Sequence, residues 1–130
     1  MSEFISIENK KDINKFLKET NNLHDSYIIS VQYTNNGIDK IDGGHTFSAD
    51  LTELKIVFLI TSIYDKKVEV VFNNIREWQI IDKQFDITDT SISFSNDDFV
   101  IWVSDCSTEP ETRDENSYVI AENMNWKMID

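Results

Sequence analysis

The sequence predicts an α+β fold that is mostly β: one N-terminal helix packed on a curved antiparallel sheet, or on a partly closed barrel, of six or seven strands. Three observations predict it. Ile, Val, Thr and the aromatic residues make up 50 of the 130 residues, whereas Leu and Ala make up 7, and β-branched and aromatic side chains favour pleated sheet. One early segment has helical spacing. The remainder alternates apolar and polar residues between short turn sequences, as antiparallel strands do.

The helix is expected at about residues 10–20, in a chain whose length indicates a single domain over residues 1–130. The apolar positions with the i, i+3, i+4 spacing of a buried helix face are Ile13, Phe16 and Leu17. Asn9 precedes them and can cap the helix N-terminus. Asn21 and Asn22 follow, and asparagine tolerates the left-handed conformation that ends many helices.

A β meander is expected over about residues 26–128. The residues that alternate along its first strand, on one face, are Tyr27, Ile29, Val31 and Tyr33. Asn36-Gly37 predicts a turn, and Asp42-Gly43-Gly44 predicts a flexible loop. The run from Leu54 to Tyr64 is apolar on both faces, which is typical of a central strand.

A second hairpin is expected to turn at Asn73-Asn74, but its pairing pattern contains a conflict. A two-residue turn there would place Trp78 on the face opposite Val68 and Val70. One extra residue in a strand reverses its faces, so we expect a bulge or a sharp bend near Arg76-Glu77.

The C-terminal part is expected to form a further hairpin, an acidic loop and a final strand. Ile92 and Phe94 precede the turn at residues 95–98, and Phe99, Ile101 and Val103 follow it. Residues 105–116 contain the only proline and almost no apolar residue, which indicates a loop. The residues expected on one face of the last strand are Tyr118, Ile120, Met124, Trp126 and Met128.

The net charge of −12 argues against a nucleic-acid partner and against an anionic membrane surface. Residues 82–115 hold ten acidic and two basic side chains, a net −8. Clustered acid attracts a basic partner and speeds its association. We therefore expect a basic protein partner. The candidate contact residues are Asp97, Asp98, Glu109, Glu111, Asp114 and Glu115, together with Trp102. The position of Trp102 in its strand is consistent with the outer face, and the alternative is that it packs under a neighbouring element, as such a tryptophan more often does.

Catalytic and metal chemistry are not expected, and no cofactor is predicted. His24-Asp25-Ser26 contains the residue types of a catalytic triad, but triads are assembled from separate segments. We expect these three residues to have a structural role, with Asp25 or Ser26 bonding local backbone before the first strand. The lone Cys106 lies beside Asp105, which disfavours a reactive thiolate.

The segment Leu23-His24-Asp25-Ser26-Tyr27-Ile28, followed by an alternating strand, resembles small uncharacterised bacterial β-rich proteins that place a His-Asp-Ser step before their first strand. The resemblance covers about residues 23–80. Some of these families are proposed immunity proteins of toxin systems, so the resemblance implies a toxin as partner and no catalytic residue.

The leading functional hypothesis is a non-enzymatic cytoplasmic protein-binding protein. Its concrete form is an immunity protein that neutralises a basic toxin through its acidic surface. The cytoplasmic expectation follows from an N-terminus without the basic and apolar regions of a signal peptide. One alternative is an assembly module that pairs through a sheet edge. Another is a small-ligand-binding protein or enzyme with His24 and His45 near a pocket. The oligomeric state is left open.

Overall fold

The computed structural model of the chain describes residues 3–47, 51–81, 87, 90–104 and 116–129. The fold is mostly β with one helix, so the predicted class is confirmed. The described elements are β1 (Ile5–Ser6), α1 (Lys10–Glu19), β2 (Ser26–Asn35), β3 (Ile38–Ile41), β4 (Gly44–Phe47), β5 (Thr52–Ile60), β6 (Lys66–Gln79), β7 (Ser91–Phe94), β8 (Val100–Val103) and β9 (Tyr118–Ile129).

The helix α1 forms where the sequence predicts it. The Asn9 side chain accepts a hydrogen bond from the Asp12 backbone N–H at 3.0 Å, which satisfies one of the open donors at the helix N-terminus. Past the helix, Asn21 and Asn22 have φ values of 53° and 58°. The predicted cap and the predicted left-handed ending are both confirmed.

The strands form a seven-stranded antiparallel sheet in the order β2-β5-β6-β9-β8-β7, with β1 paired to β9, and β3 and β4 form a separate hairpin. This order differs from the predicted meander, because β9 returns to lie between β6 and β8. The sheet is curved and not closed. An isolated bridge joins Ser26, at the start of β2, to Ile87, with main-chain hydrogen bonds of 3.2 and 2.7 Å.

The sheet curves around one apolar core, which α1 covers. Phe16 of α1 is fully buried and meets Trp126 of β9 edge to face, with ring centroids 5.3 Å apart. Phe58 and Trp102 lie on β5 and β8, which two strands separate in the sheet, yet their rings are 5.5 Å apart. A contact between rings on two strands this far apart in the sheet shows that the sheet curves strongly.

The predicted turn at Asn73-Asn74 is wrong, because β6 runs through it without reversing. Asn74 instead adopts a φ of 61°, and its side chain donates to Glu122 of β9 at 3.0 Å. The register between β6 and β9 shifts between Ile75 and Glu77. The predicted bulge is thus confirmed, inside one long strand instead of beside a hairpin.

Two further predictions concern the connections between β2 and β4. Asp42-Gly43 is the two-residue turn of the β3–β4 hairpin, since Ile41 pairs with Gly44 and Gly43 has a φ of 81°. Asp-Gly is a favoured sequence for such turns. The prediction of a flexible loop there is wrong, and the predicted turn at Asn36-Gly37 is a connection between β2 and β3.

The predicted faces of three strands need correction. In β8, Val100 and Trp102 point into the core, and Ile101 and Val103 do not. In β9, the inward residues change from Val119 and Ala121 to Met124 and Trp126, a change of parity that a single alternating pattern misses. In β2, a bulge between Ile28 and Ser30 splits the predicted apolar row, as described below.

Candidate functional site

The His24-Asp25-Ser26 segment forms the junction between a short 3-10 turn and β2. Asp25 has a φ of 56°, and its carboxylate lies 3.4 Å from the His24 imidazole Nε2. The carbonyls of His24 and Asp25 accept hydrogen bonds from Ser62 Oγ at 2.7 Å and Thr61 Oγ1 at 2.6 Å. The main chain of this junction is therefore tied to the turn between β5 and β6.

The expected bonds from Asp25 or Ser26 side chains to local backbone are not formed in the described part of the chain. The Ser26 hydroxyl is buried and has no hydrogen-bond partner among the described residues. The three side chains do not form a hydrogen-bonded relay among the described residues, since the Ser26 hydroxyl has no partner there.

Among the residues that the structure describes, no three His, Cys, Asp or Glu side chains lie close enough together to hold a metal ion. His45 lies on β4 opposite Lys40, away from the His24 junction in the chain. Neither histidine lines the three clefts described among these residues, with volumes of about 420, 350 and 340 Å³.

The acidic candidates divide into described and undescribed residues. Asp97 and Asp98 are exposed at the β7–β8 turn, where Ser95 Oγ accepts from the Asp97 N–H at 3.2 Å and Asp98 has a φ of 63°. The candidates that lie outside the described residues, like Cys106, are Glu109, Glu111, Asp114 and Glu115.

The prediction that Trp102 lies on the outer face is wrong, because its side chain is 1% exposed. Trp102 sits opposite Ile92 on β7 and Val119 on β9, and it packs edge to face on Phe58. The physical reason is the sheet curvature, which turns the Val100–Trp102 face of β8 inward. A buried indole cannot anchor a partner without opening the core.

The most distinctive surface of the described molecule is the outer edge of β2. The strand Ser26–Asn35 contains no Asp, Glu, Lys, Arg or His, and beyond the bridge from Ser26 to Ile87 its strand partner among the described residues is β5 alone. Natural edge strands are normally guarded against pairing by charged residues, proline or bulges. Among the described residues, β2 has two such features, the bulge at Ile29 and the bridge from Ser26 to Ile87, and both lie before Val31.

Large apolar side chains stay exposed along this edge. The exposed fractions of Tyr27, Ile29, Val31 and Tyr33 lie between 38% and 48%. Val31 and Tyr33 pair with Ile56 and Leu54 of β5, whose side chains point into the core. These two β2 side chains therefore extend the core face past the last covered strand.

A hydrogen bond just after β2 shows which residues of the strand point their N–H and C=O groups toward β5 and which point them away. The Asn36 N–H donates to the Leu51 carbonyl at 2.9 Å, so residue 36 points its main chain toward β5. Direction alternates along an antiparallel strand. Ser30, Gln32 and Thr34 thus bond β5, whereas the N–H and C=O groups of Val31, Tyr33 and Asn35 point to the open edge.

An aromatic pair lies at the far end of the same edge. Tyr33 stacks on Trp78 of β6, with ring centroids 5.4 Å apart and an interplanar angle of 21°, and Trp78 is 37% exposed. The bulge in β6 brings Trp78 over β2, although β5 lies between the two strands. Tyr and Trp are the side chains that most often dominate protein interfaces. We call Val31, Tyr33, Trp78 and the open main chain of β2 the edge site.

The first of the three clefts mentioned above lies on the outer face of the sheet. Its volume is about 420 Å³, and it is lined by Glu69, whose carboxylate oxygens lie 3.3 Å from Lys55 Nζ and 3.8 Å from Lys127 Nζ. Lys127 also lies over the Phe4 ring, 4.6 Å from its centroid. The two carboxylates in its lining, Glu53 and Glu69, balance the two lysines, so this cleft has no net charge to attract an ionic ligand.

The sequence predicts pairing through a sheet edge only in general terms, and it does not identify β2 as that edge. The available signal was the uncharged run Ser26–Asn35 between two charged segments.

No described helix is long and apolar enough to cross a membrane. Comparisons of the sequence with protein-family models and curated proteins, and of the fold with solved structures, find no match.

Proposed function

We propose that the chain is a non-enzymatic, cytoplasmic protein-binding protein that takes up an extended strand at the edge site. The observation that carries the proposal is the uncharged edge of β2 from Val31 to Asn35, which has no strand partner on its outer side in the part of the chain that the structure describes. In strand addition, main-chain hydrogen bonds supply affinity and neighbouring side chains supply specificity. Val31 and Tyr33 present both kinds of contact, and Trp78 widens the apolar surface beside them.

The test selects binders from two displayed libraries of extended peptides, one basic and one acidic. Peptide binding is then compared for three forms of the protein: wild type, Val31→Lys and Ile38→Lys. A charge introduced at the edge, Val31→Lys, is expected to reduce peptide binding by about tenfold or more, since a hydrophobic interface anchor is worth at least 1–2 kcal/mol. Ile38→Lys is the matched control, because Ile38 is an exposed aliphatic residue on β3, outside the large sheet. Equal peptide binding by the Val31→Lys variant and wild type would overturn the proposal.

A basic partner is a second, compatible proposal, and an immunity protein that neutralises a basic toxin is the concrete form of it. It is supported by the −8 net charge of residues 82–115 and by the exposure of Asp97 and Asp98. Its test replaces the six acidic candidates by their amides, at positions 97, 98, 109, 111, 114 and 115. Wild type is expected to prefer the basic library, with a preference that weakens in salt. An undiminished preference in the amide variant would count against an acidic binding surface.

A further inference from the structure

We propose that the strand taken up by the edge site is β2 of a second copy of this chain, so that the protein forms a two-fold symmetric dimer. This inference rests on the proposed function, and it names the occupant. A two-fold dimer joins the same strand of both copies in antiparallel orientation. It would extend the sheet of one copy directly into that of the other.

The charge pattern favours a second copy over a charged peptide at this edge. No residue of β2 carries a charge at neutral pH, so two β2 strands meet without charge repulsion, although the chain as a whole carries −12. The neighbouring charges on β5 are Lys55 and Glu53, one of each sign. Nothing at the edge therefore selects for a basic or an acidic strand.

The directions of the main-chain groups restrict the register of the pair. Hydrogen-bonded pairs across the interface must use residues that point to the open edge, which are Val31, Tyr33 and Asn35. Placing the two-fold axis at Gln32 pairs Val31 with Tyr33 of the second copy, and the reverse. It also pairs Ser30 with Thr34 of the second copy, and Gln32 with Gln32 of the second copy.

This register matches side chains that stabilise antiparallel sheets. Val31 beside Tyr33 is a β-branched residue beside an aromatic one, and Ser30 beside Thr34 joins two hydroxyls, both favourable cross-strand pairs. Gln32 beside Gln32 can form an amide hydrogen bond. Val31 and Tyr33 lie on the core face, so the dimer would cover the side chains that β5 leaves exposed.

The test combines sedimentation over a range of protein concentration with cysteine cross-linking. Both cysteine variants are made in a Cys106→Ser chain, which removes the native thiol. In the proposed register, Gln32→Cys brings two thiols together across a pair with Cα atoms about 4.5 Å apart, which suits a disulfide. Thr34→Cys is the matched control on the same strand face, and its two copies would lie four residues out of register, about 13 Å apart.

The expected result is a concentration-dependent dimer, rapid cross-linking of Gln32→Cys and at least about tenfold slower cross-linking of Thr34→Cys. Val31→Lys should be monomeric, and Ile38→Lys should dimerise like wild type. A chain that is monomeric at all concentrations, or a dimer in which Thr34→Cys links as fast as Gln32→Cys, overturns the inference. A monomer that still binds peptides in a Val31-dependent way would leave strand addition standing and remove only the second copy.

Discussion

Two proline substitutions one residue apart should have very different effects on stability. Proline removes a main-chain N–H, and in a sheet it is tolerated at an edge only where that N–H faces solvent. The Val31 N–H points to the open edge of β2, whereas the Gln32 N–H points to Lys55 of β5. Val31→Pro should therefore leave the β2–β5 ladder intact, and Gln32→Pro should break it.

The magnitudes follow from the hydrogen bonds involved. Gln32→Pro loses one ladder bond, with a net value of about 1 kcal/mol, and strands the Lys55 carbonyl between β2 and β6 at a further cost of about 1–3 kcal/mol. The total is about 2–4 kcal/mol. Val31→Pro replaces one apolar residue, 38% exposed, by another, and we expect a loss of about 1 kcal/mol or less.

Urea unfolding at low protein concentration measures both values without a contribution from dimerisation. Thermal unfolding gives a second reading, at about 4 °C per kcal/mol for a domain of this size. Destabilisation by Val31→Pro equal to that by Gln32→Pro would contradict this difference. That result would mean that the Val31 N–H is bonded inside the fold.

Three further substitutions test the packing and the local bonds. Thr52→Val should lower the free energy of unfolding by about 1–3 kcal/mol in a urea titration, because Thr52 Oγ1 accepts from the Ile75 N–H at 2.7 Å beside the β6 bulge; wild-type stability would show that this bond is unimportant. Trp102→Ala should cost about 3–5 kcal/mol, since Trp102 is 1% exposed; a calorimetric loss under 1 kcal/mol would contradict its core position. Asn9→Ala should cost about 1 kcal/mol by the same titration, through loss of the α1 cap, and no change in stability would argue against that cap.

Local patterns in the sequence predicted the helix well because its determinants are close together in the chain. The Asn9 cap, the apolar stripe of α1 and the two asparagines after it lie within about fifteen residues. The β7–β8 hairpin was predicted for the same reason. In both cases a turn or a helix end is specified by residues that touch each other in sequence.

Strand faces and strand order could not be predicted in this way, because they depend on distant partners. Asn74 looks like a turn residue, but its side chain is held by Glu122, 48 positions away. Trp102 looks outward in an alternating pattern, and the sheet curvature places it on Phe58. Which strand forms the edge is decided by β9 inserting between β6 and β8 and by β5 pairing on only one side of β2.

The edge site depends both on residues that are close together in the chain and on distant strand partners. Its uncharged sequence was visible from the start, yet only the sheet order shows that this strand is an edge. The bulge at Ile29 also changes the meaning of the apolar row. Tyr27 falls on one face, and Val31 and Tyr33 fall on the other, beside the exposed Trp78.

Residue-resolved amide hydrogen exchange along β2 tests the open edge most directly. In dilute protein we expect slow exchange at Ser30, Gln32 and Thr34 and fast exchange at Val31 and Tyr33, because only the first group donates to β5. On concentrating the protein, Val31 and Tyr33 should become protected. Exchange at Val31 and Tyr33 that is as slow as at Gln32 in dilute protein would contradict an open edge, and with it the edge site.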